Sequence, residues 1–578
     1  MEFIQKKTAD PAVEKILESA AEKGIPLAWD RFEGQLPECG FCETGLSCRD
    51  CLQGPCVSHP FKDSSKMGVC GKDKDVLAAQ TLLRLALKGT LTYLDRISDL
   101  VHSVQSGQIK PKKKTDADRL IKEFGALLHD GGTGMKKEIP RAIFRRWEDV
   151  GIAPEGMRRD LFKASQKLEG GVANAEEILL WSFKVSLLGC AVQTLFGKMK
   201  TAILGETVPA NIEVNLGVLK KNVPNLLLVG AFSPALKVKL VEDAKKKGVN
   251  TVAICSDPLF PSFQLPLVTN YGSQEAPLLT GAVDLVVAGD PFVYPSLMAL
   301  AADMEVPVVA AEGLKRTKSL DVFAKEVVDK VKKSFDVRRN IARDIPESKE
   351  LSCFGFSTAT VDVKKIIEAL KRGQIKGIAL LAGSNNVKFT QDLELTTLAQ
   401  EFLRKDILCL SEGEASVSLG KFGFLNPARK DVDVGKGVSK LLSSLGKNLP
   451  SVLDLGSSEA GGVTPFLLEL AKVGKKEFKD FPVFAVFAEA NRSSEVTEAL
   501  WTVAMGVPTY FWPALPVTGS SKAMEFLSRF CQDTFGAKLF IPTEKKTEAR
   551  PKANFILKEM IGETVPRLSG YPWKEKTK

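Results

Sequence analysis

A chain of 578 residues is too long for one compact core; at roughly 150 residues per domain it predicts three or four. Hydrophobic residues make up 44% and charged residues 26%, which excludes a disordered or fibrous chain. The formal charge of +10 is dispersed along the sequence, so it leaves no nucleic-acid footprint.

The first stretch, Met1 to Gly24, mixes lysine and glutamate at helical spacing and lacks the apolar core of a secretory signal. A cytoplasmic location is the resulting expectation. Six of the eleven cysteines follow between residues 39 and 70. Val76 to Val104 carries apolar residues at helical spacing, and Lys110 to Lys114 breaks it as a solvated loop. Ile178 to Gly197 is apolar but interrupted by Lys184 and Gln193, which predicts a buried helix rather than a membrane span. From about residue 206 short β-branched runs alternate with helical segments. They are Leu226–Val229, Thr251–Ile254, Leu285–Val287 and Val306–Val309. A charged helical linker, Ser319 to Arg343, leads to a second set: Gly377–Leu381, Asp406–Leu410, Val452–Leu455, Val483–Phe487 and Val507–Phe511. The pattern predicts an α/β multidomain fold, a helical domain (1–205) followed by two Rossmann-like open parallel-sheet domains (206–345 and 346–578). Neither G-x-G-x-x-G nor G-x-x-x-x-G-K-[ST] follows a first strand, so dinucleotide and triphosphate sites are not supported. The three histidines, His59, His102 and His129, leave none for catalysis or metal binding in the sheet region.

The cysteine-rich run carries the strongest chemical signal. Cys48-x2-Cys51-x4-Cys56, closed by Cys70, supplies four thiolates from a glycine-rich loop. In a reducing compartment this suits an iron–sulfur cluster, and also tetrahedral zinc. Cys39 and Cys42 supply only two thiolates where a cluster needs about four. A two-fold axis would bring two such pairs together; surface thiols or a thiol–disulfide couple are the alternatives. The remaining cysteines, Cys190, Cys255, Cys353, Cys409 and Cys531, sit singly among apolar residues and read as small buried hydrophobes.

The run from Trp29 to Cys39, the cysteines up to Cys56 and Gly68-Val69-Cys70-Gly71 resemble the anaerobic, nickel-containing carbon monoxide dehydrogenases. Thr269–Glu275, Thr280–Asp284, Tyr294–Leu297 and Gly383–Asn386 agree in order, so the resemblance spans nearly the whole chain. It implies a homodimer, or a family-type heterodimer, with one [4Fe–4S] cluster per chain on Cys48, Cys51, Cys56 and Cys70. It also implies one cluster per dimer shared between subunits. Most members place a ligand of the shared cluster where this chain has Ser47. The shorter spacing of Cys39 and Cys42 matches a [2Fe–2S] variant, with [4Fe–4S] still open.

The nickel–iron–sulfur site of the family does not carry over. Its histidine falls on Phe232, and its cysteines fall on Ser256, Phe292, Ser384, Glu414 and Ser458. The proton-shuttling histidines fall on Tyr93 and Arg96. Hydroxyls and phenyl rings do not replace soft thiolates, so no nickel is expected. Two phenylalanines would fill the former cavity, and Glu414 either pairs with a nearby cation or does acid–base work. The resulting expectation is an electron-transfer protein or redox subunit with a ferredoxin-like or larger redox partner. The rival reading is an oxidoreductase acting on CO or another small molecule in the altered cavity. A purely structural or regulatory role is a third reading.

Overall fold

The computed structural model describes residues 6–59, 66–129, 134–169, 171–231, 233–255, 257–311, 319–456 and 462–542. Phe232, Ser256 and Ser458 lie outside the described residues.

Two long helices form the spine of the N-terminal region. Lys74–Gln105 begins where the Asp73 carboxylate accepts the Val76 N–H at 2.9 Å, and Ala175–Leu204 where Asn174 does the same for Glu177. These side chains satisfy N–H groups that have no partner inside the helix. The second helix is long and apolar enough to cross a membrane, but 83% of its most apolar window is buried inside the protein. Its one buried cation, Lys184, pairs with Glu155 and Asp160.

The β-branched runs form two parallel sheets. The first orders its strands Asn250–Ile254, Asn225–Gly230, Leu285–Gly289, Val308–Ala310. The second orders them Val452–Asp454, Ile407–Ser411, Gly377–Ala382, Val483–Phe487, Thr509–Phe511, Leu539–Phe540. Leu226 to Val229 and Ile378 to Leu381 are buried throughout, as strands covered on both faces require. Chain order reverses between Asn225–Gly230 and Leu285–Gly289 in one sheet, and between Gly377–Ala382 and Val483–Phe487 in the other. In open α/β sheets the carboxyl ends at such reversals leave a crevice for ligands.

Three features depart from the sequence reading. The supposed linker is a packed helix, Leu320–Val337, which buries Phe323, Val327, Val328 and Val331 along a helix of the first sheet. Its charges occupy the outer face, which hid the buried stripe. An antiparallel pair, Ala210–Val214 with Glu350–Phe354, links chain on either side of residue 345. The N-terminal helix Pro11–Glu22 packs Val13 and Ile16 into the apolar cluster of the first sheet, with Leu216 and Leu278.

The second sheet reaches the long helices through Ser493–Ala504. At the crossing, a Cβ on Gly89 would lie 2.2 Å from Thr497 Oγ1, so only glycine permits this approach. Trp147 Nε1 donates to the Ala504 carbonyl at 2.9 Å and closes the contact on another side.

Candidate functional site

The loop before the first long helix gathers its thiols. Ser47–Cys48 pairs antiparallel with Cys56–Val57, placing Cys48 opposite Cys56. Cys48, Cys51, Cys56 and Cys70 line one small concavity together with Gly54, Gly68, Asp50 and Lys72. Cys48 is buried, Cys56 half-buried, and Cys51 and Cys70 exposed. The Val69 N–H points at Cys56 Sγ from 3.5 Å, and glycine at 68 leaves that sulfur uncovered. Asp50 anchors the loop through Arg84 at 2.6 Å and Lys72 at 3.7 Å. Among the described residues, no three His, Cys, Asp or Glu side chains gather as a single-ion site. Four thiols lining one concavity suit either a four-iron cluster or a tetrahedral zinc. A cluster held by these cysteines would supply one-electron transfer, and the Val69 N–H would stabilise the charge on the Cys56 sulfur.

Cys39 and Cys42 occupy one exposed turn, with Cys39 at the start of the four-residue helix Gly40–Glu43. The backbone N–H of Cys42 holds the Cys39 thiol below its ordinary range. Cys39 is therefore poised to act as a thiolate at the surface.

The carboxyl ends of the two sheets meet at a second place. Arg492 follows strand Val483–Phe487, and its guanidinium lies 4.3 Å from the Phe292 ring centre and 4.7 Å from that of Tyr271. Its Nη2 lies 3.2 Å from Cys255 Sγ and 3.9 Å from Glu414 Oε1. Glu414 also accepts the Tyr271 N–H at 2.9 Å. From the helical region, Arg96 covers the Phe292 ring at 5.8 Å. Phe292 adopts φ 79° and Cys255 φ 54°, a backbone region that a bulky side chain enters only when its surroundings enforce it. Ser384 stands beside this junction, where the Asn491 side chain donates to its carbonyl at 2.9 Å; Ser384 is buried, and its hydroxyl has no partner among the described residues. Gly383 before it has φ 127°, and a Cβ there would strike the Ala488 carbonyl at 1.7 Å. The two strand ends can approach this closely only with glycine.

The structure thus brings Phe292, Glu414 and Arg96 around Arg492, a residue that no sequence motif announced. Its only sequence signal is position, immediately before the helix Ser493–Ala504 that follows a strand at the sheet's reversal. Cys255 departs from the sequence reading: it is buried, but it touches a guanidinium rather than apolar neighbours alone. Cys353 is only half-buried, whereas Cys190, Cys409 and Cys531 are buried as expected. Phe292 is half-buried, with its ring against two guanidinium groups.

Buried acids surround the junction. Tyr93 donates its hydroxyl to Glu498, and burial raises the Glu498 carboxyl well above its usual range. Burial likewise raises Glu412 to about 7, Asp454 to about 6 and Glu489 to about 8. Burial also raises Glu414, opposed by the charge of Arg492. Several protons are therefore held inside this region near neutral pH. Among the described residues, the donor set at the junction is one thiol, carboxyls, hydroxyls and a guanidinium. It does not fit a nickel–iron–sulfur cluster, which needs several soft donors and no fixed cation among them.

A family model described as Prismane/CO dehydrogenase family matches residues 46–122 and 105–546. The chain belongs to this family. Carbon monoxide dehydrogenase 2 of Carboxydothermus hydrogenoformans is 28% identical over 98% of this chain and 99% of its own. The solved structure of carbon monoxide dehydrogenase IV from the same organism has a TM-score of 0.89 at 26% identity, covering 98% of this chain and 99% of that one. An as-isolated, nickel-free carbon monoxide dehydrogenase from Thermococcus sp. AM4 has a TM-score of 0.88 at 25% identity, covering 99% and 100%. The α/β architecture inferred from alternating strands and helices is that of these structures.

Proposed function

We propose that this protein is an iron–sulfur redox protein on the carbon monoxide dehydrogenase scaffold, acting in electron transfer or as a redox subunit without a CO-oxidising nickel site. One observation carries the reading. Arg492, stacked against Phe292 and Tyr271 and bonded to Cys255, stands where the two sheets meet. Phe292, Ser384 and Glu414, at or beside this junction, match the family's nickel-site cysteine positions. Cys48, Cys51, Cys56 and Cys70 would hold a [4Fe–4S] cluster in each chain. Cys39 and Cys42 of two chains would hold a shared [2Fe–2S] or [4Fe–4S] cluster in a homodimer or family-type heterodimer. A ferredoxin-like carrier or larger cytoplasmic redox complex would then exchange electrons with it.

The test is reconstitution of anaerobically purified protein with iron, sulfide and nickel, followed by metal analysis and CO-dependent viologen reduction. Iron and sulfide without stoichiometric nickel or CO turnover is the expected result. Nickel near one per chain with turnover would overturn the reading. A second reading, an oxidoreductase acting on CO or another small molecule, draws on the contact of Cys255, Glu414 and Arg492. It predicts substrate-dependent reduction of the clusters.

A further inference from the structure

Electron transfer leaves three reactive side chains of the inter-sheet junction unused. Cys255 directly follows the strand Asn250–Ile254 and takes a positive φ at its carboxyl end. A strained residue at that edge of a parallel sheet is a common way to hold a nucleophile clear of its strand. Arg492 Nη2 reaches its sulfur at 3.2 Å and Glu414 Oε1 at 3.9 Å, so one guanidinium serves both a nucleophile and an acid. A guanidinium beside a thiol favours the thiolate.

We propose that Cys255, Arg492 and Glu414 form a nucleophilic thiol site that adds reversibly to the carbonyl carbon of a small neutral aldehyde. The inference rests on the reading that no metal cluster occupies this junction. Size follows from the half-buried Tyr271 and Phe292 rings, which wall the guanidinium on two sides. Neutrality follows from charge: Glu414 faces Arg492, and the Glu495 carboxylate accepts the Asn491 and Arg492 N–H groups at 2.8 and 2.9 Å. An anion entering here would meet carboxyl groups as well as the guanidinium.

The step balances without a redox co-reactant. The Cys255 thiolate sulfur forms a bond to the carbonyl carbon, and the C=O π pair moves to oxygen. That oxygen takes the proton of the Glu414 carboxyl, which burial favours in its acid form. A hemithioacetal results, and Arg492 exchanges a thiolate counter-ion for the Glu414 carboxylate. The charge inside the site is the same before and after, which removes the main cost of forming an ion there. The reverse step returns the proton to the oxygen's former donor and releases the aldehyde.

The experiment treats the anaerobically purified full chain with iodoacetamide at neutral pH, with and without acetaldehyde, and reads Cys255 by peptide mass spectrometry. Native Cys255 is expected to label about tenfold faster than buried Cys190 and Cys409, and acetaldehyde to slow it by a similar factor. Arg492→Met should slow labelling about tenfold, with Arg492→Lys in between. Glu414→Gln, nearly isosteric, should keep rapid labelling while losing protection by acetaldehyde, so the test survives a misfolded Arg492 variant. Labelling of Cys255 only after unfolding, or at a rate indifferent to acetaldehyde, overturns the proposal. Nickel is measured on the same sample. An inert Cys255 in nickel-free protein overturns this inference alone, whereas an inert Cys255 with nickel near one per chain overturns the electron-transfer reading with it.

Discussion

The cysteine loop and the inter-sheet junction solve opposite problems on one scaffold. The loop lies near the surface, short in regular structure, and keeps four soft donors around a small concavity. The junction lies between two sheets and holds a guanidinium, two aromatic rings and a carboxyl group where strand ends converge. Its backbone nevertheless keeps special conformations at Cys255, Phe292 and Asn385, each with positive φ. The sheet reversals set the shape of the crevice, and the side chains set its chemistry separately. A site can therefore exchange its donors without rebuilding the sheets that frame it.

The largest effect should come from the loop. Cys51→Ser or Cys56→Ser should abolish the absorption of its cluster and lower Tm by several degrees, because bound metal contributes to folding. Zinc at the four cysteines would break the comparison at its first term. The double change Cys39→Ser with Cys42→Ser should remove one cluster per dimer and leave the loop cluster intact, read by iron content and EPR. At the junction, Arg492→Met leaves the Cys255 and Glu414 pair, which shares one negative charge, buried without its cation and should cost about 3 kcal/mol in denaturant unfolding. Adding Glu414→Gln should recover part of that loss, a coupling that a purely steric role for Arg492 would lack.

A smaller effect concerns protons. Burial raises Asp454 to about 6, although Ser416 Oγ donates to it at 2.6 Å and the Gly355 N–H at 2.7 Å. Native protein then binds more protons at this carboxyl than unfolded protein does. Stability consequently falls as pH rises from the unfolded value through about 6, and levels off above it. Asp454→Asn should remove about 1 kcal/mol of the loss between pH 5 and 7, measured by urea unfolding. The smallest expected change is from Phe292→Cys. It returns one thiol to the junction but leaves Arg492 in place, so nickel content should stay far below one per chain.

Much of this was legible in the residues. The apolar runs marked the central strands to within a residue or two, because strands covered on both faces tolerate little else. Val483–Phe487 was read with its observed bounds. The outer strand Leu539–Phe540 and the pair Ala210–Val214 with Glu350–Phe354 escaped, being short or half-exposed and lacking a continuous apolar run. Leu320–Val337 reads as a helical linker because its lysines and acids interrupt the apolar positions along the sequence, and only the fold shows Phe323, Val327, Val328 and Val331 on one buried face. At the site, cysteine spacing announced the loop. Arg492 was silent, since an arginine after a strand has no pattern of its own until the fold brings Tyr271, Phe292 and Cys255 against it.

The buried cation Lys421 has a consequence for how the chain comes off the ribosome. Its ammonium group is held by Asp10 at 3.0 Å and Asp392 at 2.5 Å, with no part of its side chain exposed. Beside it, the Ala9 N–H donates to the Gln391 carbonyl at 2.9 Å. Asp10 is synthesised about 400 residues before Lys421. Until then the first segment has its apolar face docked, at best, with a carboxylate awaiting its cation. The segment around Asp10 therefore acts as a clasp fastened late, and a chain lacking it would leave the Lys421 ammonium with one carboxylate, Asp392, where the folded protein gives it two.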